Sequence, residues 1–413
     1  RRSGSRSSAI REAPLKVEGA VALVQAAARD NEVDRLLIEF LRSPSPQTEH
    51  QETDPGPRDF VADVVAPRIE ALTGLRPELD GMGNLVWTLE GPSTSPAGGL
   101  LLMAYAMTYP AASMPDPFSG SIVSGETYGI TGPCAWGRGA CEQKGALAAV
   151  IGAAGILSRS GHSLGGPLFL VVSLAGETGH HGVARFILEH NRLEARHGIV
   201  GLGTNNRVCL GNKGRLDVEV IVRGKSCHSS TPWDGIDALE GARRVMDRLD
   251  GLQMEASHEQ LGRPTLTATR IESGPAISHT VQDYCRLVLD RRLLPGEDPD
   301  KAFKEIDNAL SGLEPWKVEA IRGAFMDPSE VPQGCPVATS LKTACERILE
   351  KQAEVFYSHA ALDAGFLNRH GIESVMFGPG DLRFAHTDRE LVSLSEVRAA
   401  ARIYAAAALQ LLA

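Results

Sequence analysis

Three stretches of this 413-residue chain carry the residue types that chemistry needs. Gly137-Arg138-Gly139-Ala140-Cys141-Glu142-Gln143-Lys144-Gly145 is a glycine-punctuated turn entering a helix. Ala175-Gly176-Glu177-Thr178-Gly179-His180-His181-Gly182 follows an apolar run, and Phe384-Ala385-His386-Thr387 follows Phe377-Gly378-Pro379-Gly380. In open α/β sheets, sites form beyond the carboxyl ends of strands, so the segments after buried strands are the places to look. Glu142, Glu177 and His386 make a workable donor set for one divalent metal of hard to borderline character. Each residue also has a plainer use. Glu142 at a helix entrance suits a cap or dipole partner, and adjacent His180 and His181 suit one solvated and one packed ring. The 137–145 turn lacks the GxxxxGK spacing of a phosphate loop. From these residues alone the reading reaches an α/β hydrolase-like enzyme with a candidate metal, and stops there.

The elements that must hold these residues can be read from periodicity. Residues 100–105 and 168–174 are continuous apolar runs with the length of buried central strands, and 198–201 is a weaker third. Helical stretches at 145–157 and 183–189 lie between them. Strand and helix in alternation predict an α/β class, a largely parallel sheet core flanked by helices. Residues 43–58 read as an exposed loop. Near Leu210 the texture changes: 216–222 alternates as a half-exposed antiparallel strand does. A second mixed strand at 286–292 and helices at 237–249 and 299–313 complete a block that reads as a smaller inserted α+β domain. The α/β pattern resumes with a helix at 337–350, a strand at 374–377 and a final helix, for which Ser393 and Glu396 predict a capping box. The expected division is a flexible leader and first helix over 1–30, a catalytic α/β domain over 31–212 and 326–413, and an inserted domain over 213–325.

Composition excludes several classes. Hydrophobic residues at 43% and charged ones at 23% suit a globular chain of two domains. Lys+Arg 42 against Asp+Glu 51 gives −9, which argues against nucleic-acid and anionic-membrane partners. The sequence has no uninterrupted apolar run of about 18 residues. The opening Arg1-Arg2-Ser3-Gly4-Ser5 has no apolar signal core and reads as a leader, not a secretion signal. Seven scattered cysteines without a CxxC pair fit reduced thiols in a cytoplasmic enzyme rather than disulfides or a zinc finger.

The motifs together resemble the metal-dependent amidohydrolase and peptidase family of acetylornithine deacetylase, succinyl-diaminopimelate desuccinylase, aminoacylase and carboxypeptidase G, from about Val33 to the C-terminus. The 137–145 turn resembles that family's GRGxxDMKG. Gly224-Lys225-Ser226-Cys227-His228-Ser229-Ser230-Thr231-Pro232 with Gly235-Ile236-Asp237-Ala238 resembles its inserted-domain signature. Phe377-Gly378-Pro379-Gly380 with Ala385-His386 resembles its closing FGPG and AH. The resemblance implies that 213–325 is a lid and dimerisation domain, hence a homodimer. It also implies where a two-metal site stands. Tyr105 and Met107 fall where the family has HxD, and Glu142 takes the bridging position. Gly176 and Glu177 fall on its paired glutamates, so the general base is missing and a ligand is kept. Leu202 falls on a further carboxylate and His386 on the last ligand. His228 matches a histidine that reaches the partner's site and stabilises oxyanion charge, and His279 stands where the family holds substrate with Asn.

These departures cluster. Tyr105 and Leu202 remove both private ligands of one metal, and Met107 removes the residue that would orient the first. Glu142, Glu177 and His386 keep the whole set of the other, so the expected cofactor is one divalent ion, zinc or manganese. The expected chemistry is hydrolysis of a C–N bond in a small carboxylate-bearing molecule by metal-activated water. An amide or N-acyl amino acid is the default substrate, with aromatic-amine deamination as a variant. His180 and His181 are the candidate replacement bases, with Cys141 and Tyr105 behind them. His279, Arg292 and Tyr105 are the candidate substrate contacts, Arg292 through a substrate carboxylate. The rival reading is a catalytically silent binding or scaffold protein on the same fold. A third is a metal-free enzyme with Cys141 as nucleophile and a base such as His180.

Overall fold

The computed structural model describes residues 15–48, 53–92, 98–176, 187–189, 191 and 193–412. Its main sheet follows from apolar spacing. Gly99–Tyr105 is buried at every position and Leu168–Ser173 at all but one. Strands like these need cover on both faces, which parallel sheets receive from crossover helices. In space Leu168–Ser173, Gly99–Tyr105, Ala195–Gly201 and Glu373–Phe377 lie side by side, all parallel. Antiparallel strands flank this centre, Leu85–Leu89 on one side and Val208–Asn212 on the other. The fold is thus the expected α/β class, with antiparallel edges added to a parallel centre.

Side chains alternate across a strand, and here the alternation divides two cores. Leu100, Leu102 and Ala104 enter a core covered by the helices Gly145–Ser160, Leu394–Leu411, Pro336–Leu349, Val17–Ala27 and Asp30–Arg42. Leu101, Met103 and Tyr105 enter the other, with Val200 and Met376 from neighbouring strands and Leu202 just past the end of one. Small residues let the helices of the first core approach closely: a Cβ on Gly152 would stand 2.9 Å from Val33 Cγ2. Among the described residues one helical stretch, Ala140–Ser160, has the length and apolarity to cross a bilayer, and its apolar part is buried within the fold.

A second, four-stranded antiparallel sheet runs Thr265–Gly274, Tyr284–Leu293, Gly214–Arg223, Lys317–Met326. Tyr284–Leu293 alternates strictly between half-buried and buried, its apolar face packing on Ala238–Asp250 and Pro299–Ala309. The outer strands are exposed at half or more of their positions, with patterns that hide a strand from hydrophobic periodicity. Asp237 caps its helix, Oδ1 accepting the Leu239 N–H at 2.9 Å. A third, small sheet pairs Leu391–Ser393 with Pro133–Trp136 and that with Ser121–Ser124. It carries no sequence signal, yet it sews the end of the chain to the 137–145 turn.

Three expectations need correction. The loop over 43–58 gives way to a helix from Pro55, because prolines suit the first turn of a helix. The helix expected over 299–313 stops at Ala309, and Gly312 follows at φ +70°. The capping box at the last helix does not form. Ser393 stands at the N-cap without a capping bond, its hydroxyl pairs with Ser395 Oγ at 2.9 Å, and Glu396 instead accepts the Gly380 N–H at 3.2 Å. The local box loses to a tertiary use: Glu396 fastens the 377–380 turn. Of the helix expected over 183–189 only 187–189 are described, and these are helical.

Candidate active site

Glu142 lies in the turn Ala140–Lys144 that opens the buried helix Gly145–Ser160. Gly139 starts this turn at φ +82°, and a Cβ there would come within 2.4 Å of Thr108 Cγ2, so the position requires glycine. The Gly203 N–H donates to the Glu142 carbonyl at 3.1 Å, which ties the turn to the end of the strand Ala195–Gly201. His386 arrives from the opposite end of the chain on a non-glycine residue at φ +61°. Its Nε2 stands 3.1 Å from Glu142 Oε2. Glu142 is buried, whereas the His386 side chain is 52% exposed, so the pair opens to solvent on one side. The hydrogen bond to Glu142 raises the His386 pKa above the ordinary value. Burial opposes, the charges of Glu142 and Glu390 add, and Arg138 subtracts.

Beneath this pair lies a buried hub. Arg138 Nη1 donates to Glu390 Oε2 at 2.9 Å, both side chains almost fully buried. Arg138 Nη2 donates to the carbonyls of Ala111 at 3.0 Å and Thr387 at 2.9 Å, so one guanidinium holds the residue next to His386. Burial pushes the Glu390 carboxyl up, against the pull of Gly139 N–H and Arg138. The Tyr109 ring stacks on His386, centroids 4.1 Å apart and 18° from parallel. Lys144 is buried too, its ammonium on the carbonyls of Phe40 at 2.7 Å and Ser43 at 2.5 Å, and burial lowers its pKa to about 7.

Cys141 does not suit a nucleophile or a base. It is fully buried beside Glu390, its Sγ 3.5 Å from Oε1, and burial with the neighbouring carboxylates pushes the thiol well above its ordinary range. A thiol in such a place stays protonated and inert.

The other half of the site is apolar. Tyr105, Met107 and Leu202 are all buried in the second core. Tyr105 is 1% exposed, and its hydroxyl donates to Asp363 Oδ2 at 2.7 Å, so it faces a neighbouring carboxylate inside the fold rather than an open cleft. Asp363 stands at the N-cap of Ala364–Arg369 and makes no capping bond. Gly176 completes the arrangement. A Cβ there would lie 2.2 Å from Tyr105 Cε1 and 3.1 Å from Asp363 Oδ2, so the tyrosine ring fills the space of a side chain at 176. Glu177, His180 and His181 lie outside the described residues.

The inserted sheet holds the remaining candidates. His228 and His279 are exposed neighbours, ring centroids 5.7 Å apart, joined by the Ser229 N–H to the His279 carbonyl at 2.9 Å. His228 Nδ1 accepts the Ser230 N–H at 3.1 Å. Arg292 is paired within its own strand. Asp290 grips it through two bonds, Nε to Oδ1 at 2.7 Å and Nη2 to Oδ2 at 2.9 Å, because alternate residues share one face of the strand.

The structure therefore joins Glu142 with His386 and His228 with His279, and sets Tyr105 and Arg292 against internal carboxylates. Glu390, Tyr109 and Asp363 contact the candidate residues Arg138, His386 and Tyr105, and motif reading misses all three. An imidazole nitrogen and a carboxylate oxygen converging at 3.1 Å are donor types that fit a divalent ion of the zinc or manganese kind. Among the described residues no third His, Cys, Asp or Glu joins them.

Comparison with known proteins bears on the same regions. A family model described as peptidase dimerisation domain matches residues 210–318. An acetylornithine deacetylase of Myxococcus xanthus is 29% identical over 272 residues, 63% of this chain and 68% of that protein. One from Edwardsiella ictaluri is 26% identical over 306 residues, 72% of this chain and 76% of that protein. Among solved structures, an M20 family metallo-carboxypeptidase of Sulfolobus solfataricus superposes with a TM-score of 0.77. It is 20% identical and covers 92% of this chain and 99% of that one. A Bacillus subtilis structure described as a dinuclear metal binding peptidase of the M20 family gives 0.68 at 15% identity, over 94% and 99%. At such identities the structural likeness speaks for the fold.

Proposed function

We propose that this chain is a member of the M20 peptidase family and, within it, a metal-dependent hydrolase of a C–N bond in a small carboxylate-bearing molecule, a reading supported by the dimerisation-domain match and the acetylornithine deacetylase relatives. The observation that carries this reading is the meeting of His386 Nε2 and Glu142 Oε2 at 3.1 Å, from residues 244 apart in sequence. Glu142, Glu177 and His386 would hold one divalent ion, zinc or manganese. When bound, such an ion supplies Lewis acidity and an activated water. The chain's own residues do the rest. The Arg138–Glu390 hub fixes the turn that bears His386, and His180 or His181 takes the proton from the attacking water. His228, exposed on the inserted domain, would reach the site of a second copy in a homodimer and steady developing oxyanion charge there. The acetylornithine deacetylase relatives favour an N-acyl amino acid over an aromatic amine as substrate. The seven free cysteines favour a reducing compartment such as the cytoplasm.

One observation favours a second reading. With Tyr105, Met107 and Leu202 sealing half of the site, a silent binding protein on the same fold is the rival. Metal content per chain, measured by plasma mass spectrometry on protein purified without chelators, separates the two. The expected result is close to one ion per chain, turnover on a panel of N-acyl amino acids, and loss of both in His386→Ala. Turnover that survives His386→Ala overturns the assigned site. Two ions per chain overturn the one-ion reading, and none after soaking with zinc or manganese favours the silent protein.

A further inference from the structure

We propose that Tyr109 is a positioning residue for His386, fixing the plane of the imidazole so that Nε2 meets Glu142, and that this brace sets the affinity of the pair for a divalent ion. The second part rests on the proposed function; the first does not.

His386 needs such a brace. Its backbone lies in the left-handed region at φ +61°, uncommon for a residue with a side chain. Half of its ring is exposed. A ring held through one nitrogen can still turn about that contact, and a ligand that turns loses its aim. The Tyr109 ring covers one face of the imidazole at 4.1 Å and within 18° of parallel, and this contact removes that rotation.

Tyr109 is itself anchored. It ends a segment tied on both sides: the Ala106 N–H donates to Ser173 O at 2.8 Å, the Thr108 N–H to Ser45 O at 2.9 Å, and the Gln47 N–H to Thr108 O at 2.8 Å. The Arg138 guanidinium stands 5.7 Å from its ring centroid while also bonding the Thr387 carbonyl. Brace and braced ring therefore share one buried support. Tyr109 is 42% exposed, so its burial adds little to the stability of the fold. What the ring does is hold its neighbour, as the outer partners of a metal-binding histidine do.

The test uses the full chain as Tyr109→Ala and Tyr109→Phe, with two readouts. In chelated protein, the ring-proton NMR shifts of His386, assigned with His386→Gln, report the stacked ring. Competition against a chromophoric chelator reports zinc affinity. Tyr109→Ala should move the His386 signals and weaken zinc binding about 10–100-fold, while Tyr109→Phe keeps both close to wild type. Both variants should melt as the wild type does. His386 signals unmoved in Tyr109→Ala would overturn the brace, and signals moved with zinc affinity unchanged would overturn its link to metal uptake. If the wild type takes up no zinc, the proposed function falls while the NMR shifts still decide the brace.

Discussion

The carboxyl ends of the same parallel strands carry two unlike regions. On one side Tyr105, Met107 and Leu202 continue the apolar face of Leu101 and Met103. On the other, Glu142 and His386 stand over Arg138, Glu390 and Tyr109. The first region is held by volume. Its directional contact is the Tyr105 hydroxyl on Asp363. The second is held by aimed contacts, each of which names its partner and distance. The difference teaches where change is tolerated: a packed region accepts other shapes of similar volume, whereas a buried ion pair accepts almost no loss of one member.

The polar region should therefore break hardest. Arg138→Ala leaves Glu390 buried, charged and without its counter-ion. The expected loss is about 3–5 kcal/mol of unfolding free energy in urea melts. Removing both charges in Arg138→Met with Glu390→Gln should restore part of it. A loss below about 1 kcal/mol for Arg138→Ala, the size of an exposed pair, would mean that this hub does not hold the region together.

The apolar region should break by overfilling. Gly176→Ala places a Cβ 2.2 Å from Tyr105 Cε1, and overpacking of this kind costs about 1–3 kcal/mol. Tyr105→Ala opens that space again at its own cost in lost packing. The double variant should then be more stable than the two losses added together, because each substitution relieves the other. Strict additivity in the cycle would show that Tyr105 and residue 176 do not compete for one volume, and the comparison of the two regions would lose its sharper side.

How much of this is legible in the sequence depends on the kind of contact. The central strands are legible because residues 100–105 and 168–174 are continuously apolar, and the sheet needs nothing else. Glu142 and His386 are legible as types at strand ends. The inserted block is legible from alternation in 216–222 and 286–292, but its exposed outer strands, Thr265–Gly274 and Lys317–Met326, hide their pairing in polar sequence. Glu390 and Asp363 are invisible to the same reading. Their partners lie 252 and 258 residues away, and a polar pair at that separation leaves no periodic trace. The capping box fails for a related reason. Ser393 and Glu396 have the right spacing, but a tertiary acceptor role at Gly380 N–H takes the glutamate. Local rules hold until a long-range partner competes for the same atom.

The smallest expected effect comes from pH, and it divides the two regions again. The folded-state pKa of His386 is raised, chiefly by its hydrogen bond to Glu142. A histidine raised in this way adds stability that is fully present below its ordinary value of 6.5 and is lost as pH climbs through the raised value. In chelated protein the melting midpoint of wild type should exceed that of His386→Gln by more at about pH 5 than at about pH 8. The ring is half exposed, so solvent screens the pair and the gap stays small. Leu202→Ala, in the apolar region, removes packing and no titrating group, and its cost should be equal at both pH values. A gap for His386→Gln that is flat with pH would mean that the bond to Glu142 does not persist in solution without metal. A gap that widens as pH rises would mean that Nε2 meets the carboxylate as a neutral ring, and that charge has no part in holding this side of the site.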